Sequence, residues 1–322
     1  MAFGFAELHG GGTRVRVIPA LGGKIASLES LGREWLWTND VIPQTEQTEG
    51  ASYVEKGDTG GYDECFPTVA PCQLPSGVAG FGGVALPDHG ELWTQRAVVG
   101  VETQTDGQRV ECQWSGRRMP YRFSRSVQVT PAGAVVMHYT VSNTGTVPLP
   151  FIWSAHPLFP MTAATRLDLP AGARVRVCSR HGDALRGLTS EFRWPHARLE
   201  KRIADLTVPD ALARHYACKL FLDIPPGTSI VALEEGDARI EVVFDERHVP
   251  YVGLWLNKRQ WTPFPRGKPY LNLGLEPCIG VPDSLAEALG EWRGAQWLPP
   301  GEARSWSLTW RTRKLPPRGP RE

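Results

Sequence analysis

The chain has 322 residues, with 35 Lys and Arg against 34 Asp and Glu, a formal charge of +1. That balance supplies no basic stripe for nucleic acid, and a composition 41% hydrophobic and 21% charged excludes an intrinsically disordered chain. The 34 Gly and 28 Pro exceed an average combined usage of about 12% but follow no period, so they mark many turns rather than a fibrous repeat.

Strand patterns dominate from the N-terminus onward. Arg14–Ile18 begins with strict alternation, as a half-buried strand does. Lys24–Leu28, Glu34–Trp37, Ala97–Val101 and Arg109–Trp114 follow. Tyr121–Val129 is nearly period two, and Ala134–Val141 is apolar, β-branched and closed by Ser142-Asn143-Thr144-Gly145. Phe151–Trp153, Arg174–Val177, Lys219–Leu222, Ser229–Leu233, Arg239–Phe244, Tyr251–Leu256, Tyr270–Leu275 and Trp306–Trp310 complete the set. Helical signals are few: Ser284–Gly290, with Asp283 or Ser284 as N-cap and Gly290 as terminator, and a single turn at Asp210–His215. Many short strands between Gly/Pro turns, without alternating helices, predict an all-β antiparallel sandwich or barrel. No composition shift divides the chain, so we expect one domain over residues 1–312 and a loose tail over 313–322.

Met1–Gly12 lacks the positive flank and apolar run of a signal peptide. No stretch approaches the ~18 apolar residues of a membrane span. Cys65, Cys72, Cys112, Cys178, Cys218 and Cys278 form no C-x-x-C pair. The expectation is a cytoplasmic chain with reduced, mostly buried thiols.

Two histidines and one carboxylate stand in unusual settings. His89 lies in Leu86-Pro87-Asp88-His89-Gly90-Glu91-Leu92-Trp93, and His156 in Trp153-Ser154-Ala155-His156-Pro157-Leu158-Phe159. Gly or Pro beside each imidazole implies a ring held at a strand end, facing either a pocket or ordinary packing. Glu276 follows the apolar run Tyr270–Leu275 and precedes Pro277. A carboxylate there is costly to bury unless it is paired or has a task. Burial would raise its pKa, which suits a general base near neutral pH, while a structural carboxylate bonded to a loop remains the alternative. In Gly60-Gly61-Tyr62-Asp63-Glu64-Cys65-Phe66-Pro67, Asp63 and Glu64 read either as solvated charges on a tight turn or as a carboxylate rim for a polyol.

With Gly22-Gly23-Lys24-Ile25, Gly60-Gly61…Pro67, Pro87-x-His89-Gly90, His156-Pro157-x-Phe159 and Leu275-Glu276-Pro277 in this order, the chain resembles the aldose 1-epimerase (galactose mutarotase) superfamily. It is most similar to the branch that includes hexose-6-phosphate epimerases. The resemblance extends from about residue 10 to about residue 310. It implies a large twisted β-sandwich with an open cleft on one sheet, and an enzyme that interconverts the anomers of a monosaccharide or sugar derivative. It also implies Glu276 as the base for the anomeric hydroxyl, His156 as the acid for the ring oxygen, and His89 as a second, orienting imidazole. No metal or other cofactor is implied. Trp93, Trp153 and Trp255, near the motifs, are candidate platforms for the C–H face of a sugar.

Two departures bear on the substrate. Where better-known members read His-Gly-Phe-Ala-Arg, this chain has His89-Gly90-Glu91-Leu92-Trp93, so the guanidinium that would suit a phosphate is lost. Where galactose mutarotases carry Asp-His-Asn-Phe, the comparable stretch is Ala217-Cys218-Lys219-Leu220-Phe221. Lys219 is then a candidate contact for a hydroxyl or an acidic sugar, or a snorkelling surface lysine. Two rival functions remain: a non-catalytic carbohydrate-binding sandwich, and a metal-dependent oxygenase in which His89-x-Glu91 and His156 form an Fe(II) facial triad. The sequence leaves the oligomeric state open.

Overall fold

Alternating apolar residues give each strand one face to bury, and most of the strands gather into two large antiparallel sheets, with two further two-stranded ribbons among the described residues. The computed structural model describes residues 3–104, 107–209, 215–264 and 267–316. The larger sheet has 13 strands. Its spatial order is Ala6–Gly10, Thr13–Ile18, Lys24–Ser30, Tyr62–Cys65, Trp153–Pro160, Leu271–Ile279, Tyr251–Lys258, Tyr216–Asp223, Arg174–His181, Glu191–Arg193, His196–Arg198 and Ile203–Asp205, with Arg33–Glu34 beside Lys24–Ser30. The second sheet has eight strands, in the order Thr165–Asp168, Ile230–Glu235, Ala238–Val243, Ala303–Lys314, Val135–Asn143, Tyr121–Val129, Gly107–Ser115 and Val98–Gln104.

The sheets pack face to face around one apolar core. Aromatic pairs cross between them. Tyr62 stacks on Trp310 at 5.3 Å between ring centroids, and Trp153 packs against Trp306 at 4.9 Å. The fold is therefore the expected all-β sandwich, and the one α-helix among the described residues, Leu285–Leu289, has Ser284 as N-cap, accepting from Glu287 N at 3.3 Å.

Departures from the expected elements have local causes. Of Glu34–Trp37 only Glu34 lies in the strand Arg33–Glu34, because the Glu34 carboxylate accepts from Leu28 N at 2.9 Å and Leu36 N at 2.8 Å and turns the chain out of the sheet. Phe151–Trp153 is not one strand. Leu149–Phe151 pairs with Gln296–Leu298, Ile152 N donates to Pro67 O at 3.0 Å, and Trp153 starts a strand of the large sheet. The expected turn at Asp63 and Glu64 is a buried strand, Tyr62–Cys65. Most of the expected helical turn at Asp210–His215, residues 210–214, lies outside the described residues, as do residues 317–322 of the tail. The last strand continues to Lys314, paired with Ala238, two residues into the segment expected to be loose. All six cysteines are free thiols, four of them buried. Among the described residues, no helix is long and apolar enough to cross a membrane.

Candidate active site

Register in the large sheet decides which side chains meet. Asp63 pairs with His156, and Gly253 with Glu276. Between these two pairs, Ser154 opposes Cys278 and Leu158 opposes Gly274. The ladder lapses from residue 155 to 157, where Pro157 and Pro277 have no N–H to give. The same register carried across the gap sets His156 opposite Glu276. Side chains of one transverse row share a face, so Asp63, His156 and Glu276 project from the same side of the sheet. Phe221 opposes Gly253, and Lys219, two residues before it, therefore shares that side too.

Glycine makes the room. Gly253 and Gly274 flank Glu276 across and along the strands, and a Cβ at either would stand 3.2 Å or 2.5 Å from a carboxylate oxygen. Glu276 is fully buried. Its Oε2 accepts from Lys219 Nζ and lies 3.4 Å from Ser154 Oγ. Its Oε1 accepts no hydrogen bond among the described residues. Burial raises the Glu276 pKa above the usual carboxylate range, although the Lys219 charge pulls the other way. Lys219 also lies 3.5 Å from Asp283 Oδ1, and those carboxylates hold its own pKa high despite burial.

The loops that close the cleft supply the rest. His89 sits at φ 57°, uncommon for a side-chain-bearing residue, and is followed by Gly90 at φ 74°. His89 N donates to Val69 O at 2.6 Å, which pins this turn. The His89 ring stacks on Tyr53 at 3.8 Å, its Nδ1 bonds Asp88 Oδ1 at 2.8 Å, and it stands edge-on to His156 at 4.9 Å. Tyr53 opens a one-turn π-helix, Tyr53–Gly57, whose first N–H donates to Asp88 Oδ2 at 2.8 Å. Burial would raise the Asp88 pKa, but hydrogen bonds from His89 and from the Tyr53 and Val54 N–H groups outweigh it and hold the carboxyl low. Burial lowers the His156 pKa well below the usual imidazole value, and the positive charges of His89, Lys219 and Lys24 add to that. Burial lifts the Asp58 pKa to about 6.

These groups line a cleft of about 260 Å³, with Tyr53, Asp58, Asp88, His89, His156, Lys219, Glu276 and Asp283 on its walls and Trp255 and Trp261 among its aromatics. That is below the roughly 300–1,000 Å³ of sites for drug-sized ligands, a scale suited to one small molecule. Larger hollows, about 620 Å³ between Gln95 and Ser142 and about 670 Å³ around His9 to Glu34, join no imidazole to a buried carboxylate.

Of the residues singled out in the sequence, Glu276, His156, His89, Lys219 and Trp255 meet in this cleft. Four others do not line it. Glu64 is one residue out of phase with Asp63 and points between the sheets, where it accepts from Arg125 Nη1 at 3.0 Å and Trp153 Nε1 at 2.9 Å. Asp63 shares the cleft side of the sheet but lies beneath Tyr53, accepting from Tyr53 Oη at 2.6 Å and from Lys24. Trp93 stands behind the wall, edge-on to Tyr53 at 5.1 Å, with Nε1 donating to Asp88 O at 2.9 Å. Trp153 is buried in the core.

The facial-triad reading fails on Glu91. Its carboxylate accepts from Arg118 N at 2.7 Å and Tyr121 Oη at 2.8 Å, so it is committed away from the two histidines. Among the described residues, no three His, Cys, Asp or Glu are grouped to hold a metal ion. Sequence reasoning passed over Tyr53, Asp88, Lys24 and Asp283. Asp88 and Lys24 stood inside the quoted motifs, and Asp283 seven residues past Glu276; Tyr53 carried no signal.

The sequence matches no protein-family model and no curated protein. Solved structures do match, over nearly the whole chain. One is a protein of Synechocystis sp. PCC 6803, at 18% identity and TM-score 0.67, covering 97% of this chain and 96% of that one. A galactose mutarotase-like protein from Clostridium acetobutylicum matches at 13% identity and TM-score 0.67, over 96% and 95% of the two chains. Another, from Lactobacillus casei, matches at 16% identity and TM-score 0.62, over 96% and 100%. At such identities the likeness establishes architecture: the chain has the galactose mutarotase-like fold.

Proposed function

We propose that the chain is an aldose 1-epimerase, interconverting the α and β anomers of a monosaccharide by acid–base ring opening and closure. The observation that carries this reading is a buried carboxylate with one free oxygen, Glu276 Oε1, in the same small cleft as two imidazoles. Glu276 takes the proton of the anomeric hydroxyl. As C1=O forms, the C1–O5 bond breaks, and O5 takes a proton from an imidazole. The family resemblance gives that task to His156, with His89 orienting. Rotation about C1–C2 presents the other carbonyl face, and closure returns both protons. A raised carboxylate pKa suits a base working near neutral pH, and each positioned group is worth about 10²–10⁴-fold in rate. The reaction as drawn calls for no cofactor. Trp255 and Trp261 offer apolar faces to the sugar ring. Six free thiols support a reducing compartment, the cytoplasm, as its place of work.

One observation favours a sugar-binding module instead. Lys219 occupies the other Glu276 oxygen, and a cation there weakens the carboxylate as a base. Anomer exchange followed by NMR or polarimetry over neutral, acidic and phosphorylated aldoses separates the readings. The expected result is catalysed exchange of at least one aldose, reduced about 10²–10⁴-fold in Glu276→Gln with binding retained. Saturable binding with no exchange would establish the module and end the epimerase reading.

A further inference from the structure

The two imidazoles of the cleft are held in different ways. Asp88 Oδ1 takes His89 Nδ1 at 2.8 Å, while Asp88 Oδ2 is fixed by the Tyr53 N–H at 2.8 Å. The carboxylate is thus anchored on one side and presented to the ring on the other. Stacking on Tyr53 at 14° between planes and the pinned backbone turn fix the ring itself. With Nδ1 committed, Nε2 is the nitrogen left for a ligand in the cleft. Among the described residues His156 has no carboxylate partner: it is buried, and its Nδ1 has no hydrogen bond there. The two rings are 4.9 Å apart, so charging both in one desolvated site is unfavourable. A single shared proton belongs on the ring that faces an anion.

We infer that His89, backed by Asp88, is the group that hands the proton to the ring oxygen, and that His156 works beside it as a neutral hydrogen-bonding partner. This rests on the ring-opening reading above and reverses the roles that the family resemblance assigns to the imidazoles. In the forward half-reaction the Nε2–H of His89 imidazolium protonates O5 as the C1–O5 bond breaks, while Glu276 takes the O1 proton. In closure O5–H returns its proton to His89 as O5 attacks C1, and Glu276 returns its own to O1. Atoms and charge balance over the cycle, and no further reactant is used. Asp88 is a positioning residue: it stabilises the imidazolium and fixes which nitrogen points to the substrate.

The charged and titratable groups around His89 are Asp88 on its own loop, Tyr53 and Asp58 from the π-turn segment, His156 from its strand and Glu276 from the next. Those acting on His156 are His89, Lys219 and Lys24, all cationic when protonated. The depressed basicity of His156 agrees with this assignment.

The test follows histidine side chains by ¹H–¹⁵N NMR and, in parallel, the pH dependence of kcat for anomer exchange. In the wild type His156 should already be neutral across the pH range where exchange is fastest. Activity needs a protonated acid, so it falls as pH rises through the pKa of that acid. Asp88→Asn removes the anion that holds the proton, so the alkaline limb should move to lower pH, with kcat reduced about 10²-fold and KM little changed. His156→Gln should lower kcat and leave that limb in place. The inference is overturned if His156 is the ring that carries the proton, or if His156→Gln abolishes the alkaline limb while Asp88→Asn leaves it unmoved. A wild type that exchanges no aldose would defeat the epimerase reading alone, and the NMR order of protonation would still decide which ring is the acid.

Discussion

Gly274 lies two residues before Glu276 on the same strand and face, and a Cβ built on it would come 2.5 Å from Glu276 Oε1. The free oxygen of the carboxylate therefore occupies space that any other residue at 274 would fill. Ala fits the backbone there, so Gly274→Ala should fold, with unchanged far-UV circular dichroism. The displaced carboxylate should cost about 10²-fold in kcat, as misplacement by about 1 Å can. Full activity in the alanine variant would show that Oε1 is not the oxygen that takes the proton.

On the proposed mechanism, Lys219 sets the pH range over which Glu276 can act as the base. Its charge lowers the Glu276 pKa, so Lys219→Met should raise it further. The base must be deprotonated, so the acidic limb of the rate profile should move to higher pH, with a larger loss at pH 6 than at pH 8. Leaving a buried carboxylate without its cation should also cost stability, up to about 3–5 kcal/mol when Glu276 stays ionised. Denaturant unfolding and a pH–rate series measure the two effects. An unmoved acidic limb would separate Lys219 from the titration of Glu276.

Arg125 and Glu64 form a fully buried ion pair between the sheets. Arg125→Met strands the Glu64 charge and should destabilise the fold by about 3–5 kcal/mol. Adding Glu64→Gln should restore most of that loss, and the double variant should keep the wild-type kcat, since neither side chain lines the cleft. A large kcat defect in a folded double variant would return Glu64 to the site.

Asp58 couples the cleft to stability. Its pKa is lifted from 3.8 to about 6 in the fold, so the native state favours the protonated form. The sign follows from linkage: a group raised on folding contributes its stability below the unfolded pKa and loses it as pH rises through the folded one. Stability should therefore fall between about pH 4 and pH 6, by roughly 3 kcal/mol for a shift of this size. Asp58→Asn should remove that slope, raising Tm at pH 8 while changing it little at pH 4. Equal effects at both pH values would mean that Asp58 does not titrate in this way.

The legibility of the sequence varied with the range of the interactions involved. Tyr121–Val129 forms over the residues expected, because alternation and its flanking turns are local signals. Ser284 and Leu285–Leu289 were legible as a cap and a helix for the same reason. Asp63 and Glu64 were misread as a turn, since an acid on each face of a four-residue strand erases the alternation. Their partners, Lys24, Tyr53 and Arg125, come from three separate parts of the chain. Tyr53 was invisible because a π-turn leaves no pattern, and its importance lies in what it touches.

Glu276, His156 and His89 stood out in the sequence because a polar group beside Pro or Gly at the end of an apolar run is a local anomaly. The sequence alone determined that these groups stand at local anomalies in an all-β chain rich in turns; it put them at strand ends, whereas His156 and Glu276 lie inside Trp153–Pro160 and Leu271–Ile279, because the prolines beside them interrupt the ladder without ending the strands. Tertiary structure alone decided that Asp63 and Glu64 face opposite ways, that Asp88 holds one imidazole and not the other, and that Lys219 lies on Glu276. Alternation reports where a strand runs, whereas a one-residue step in pairing reverses every side chain. Which charge neutralises which is settled by neighbours that only the register of distant strands brings together.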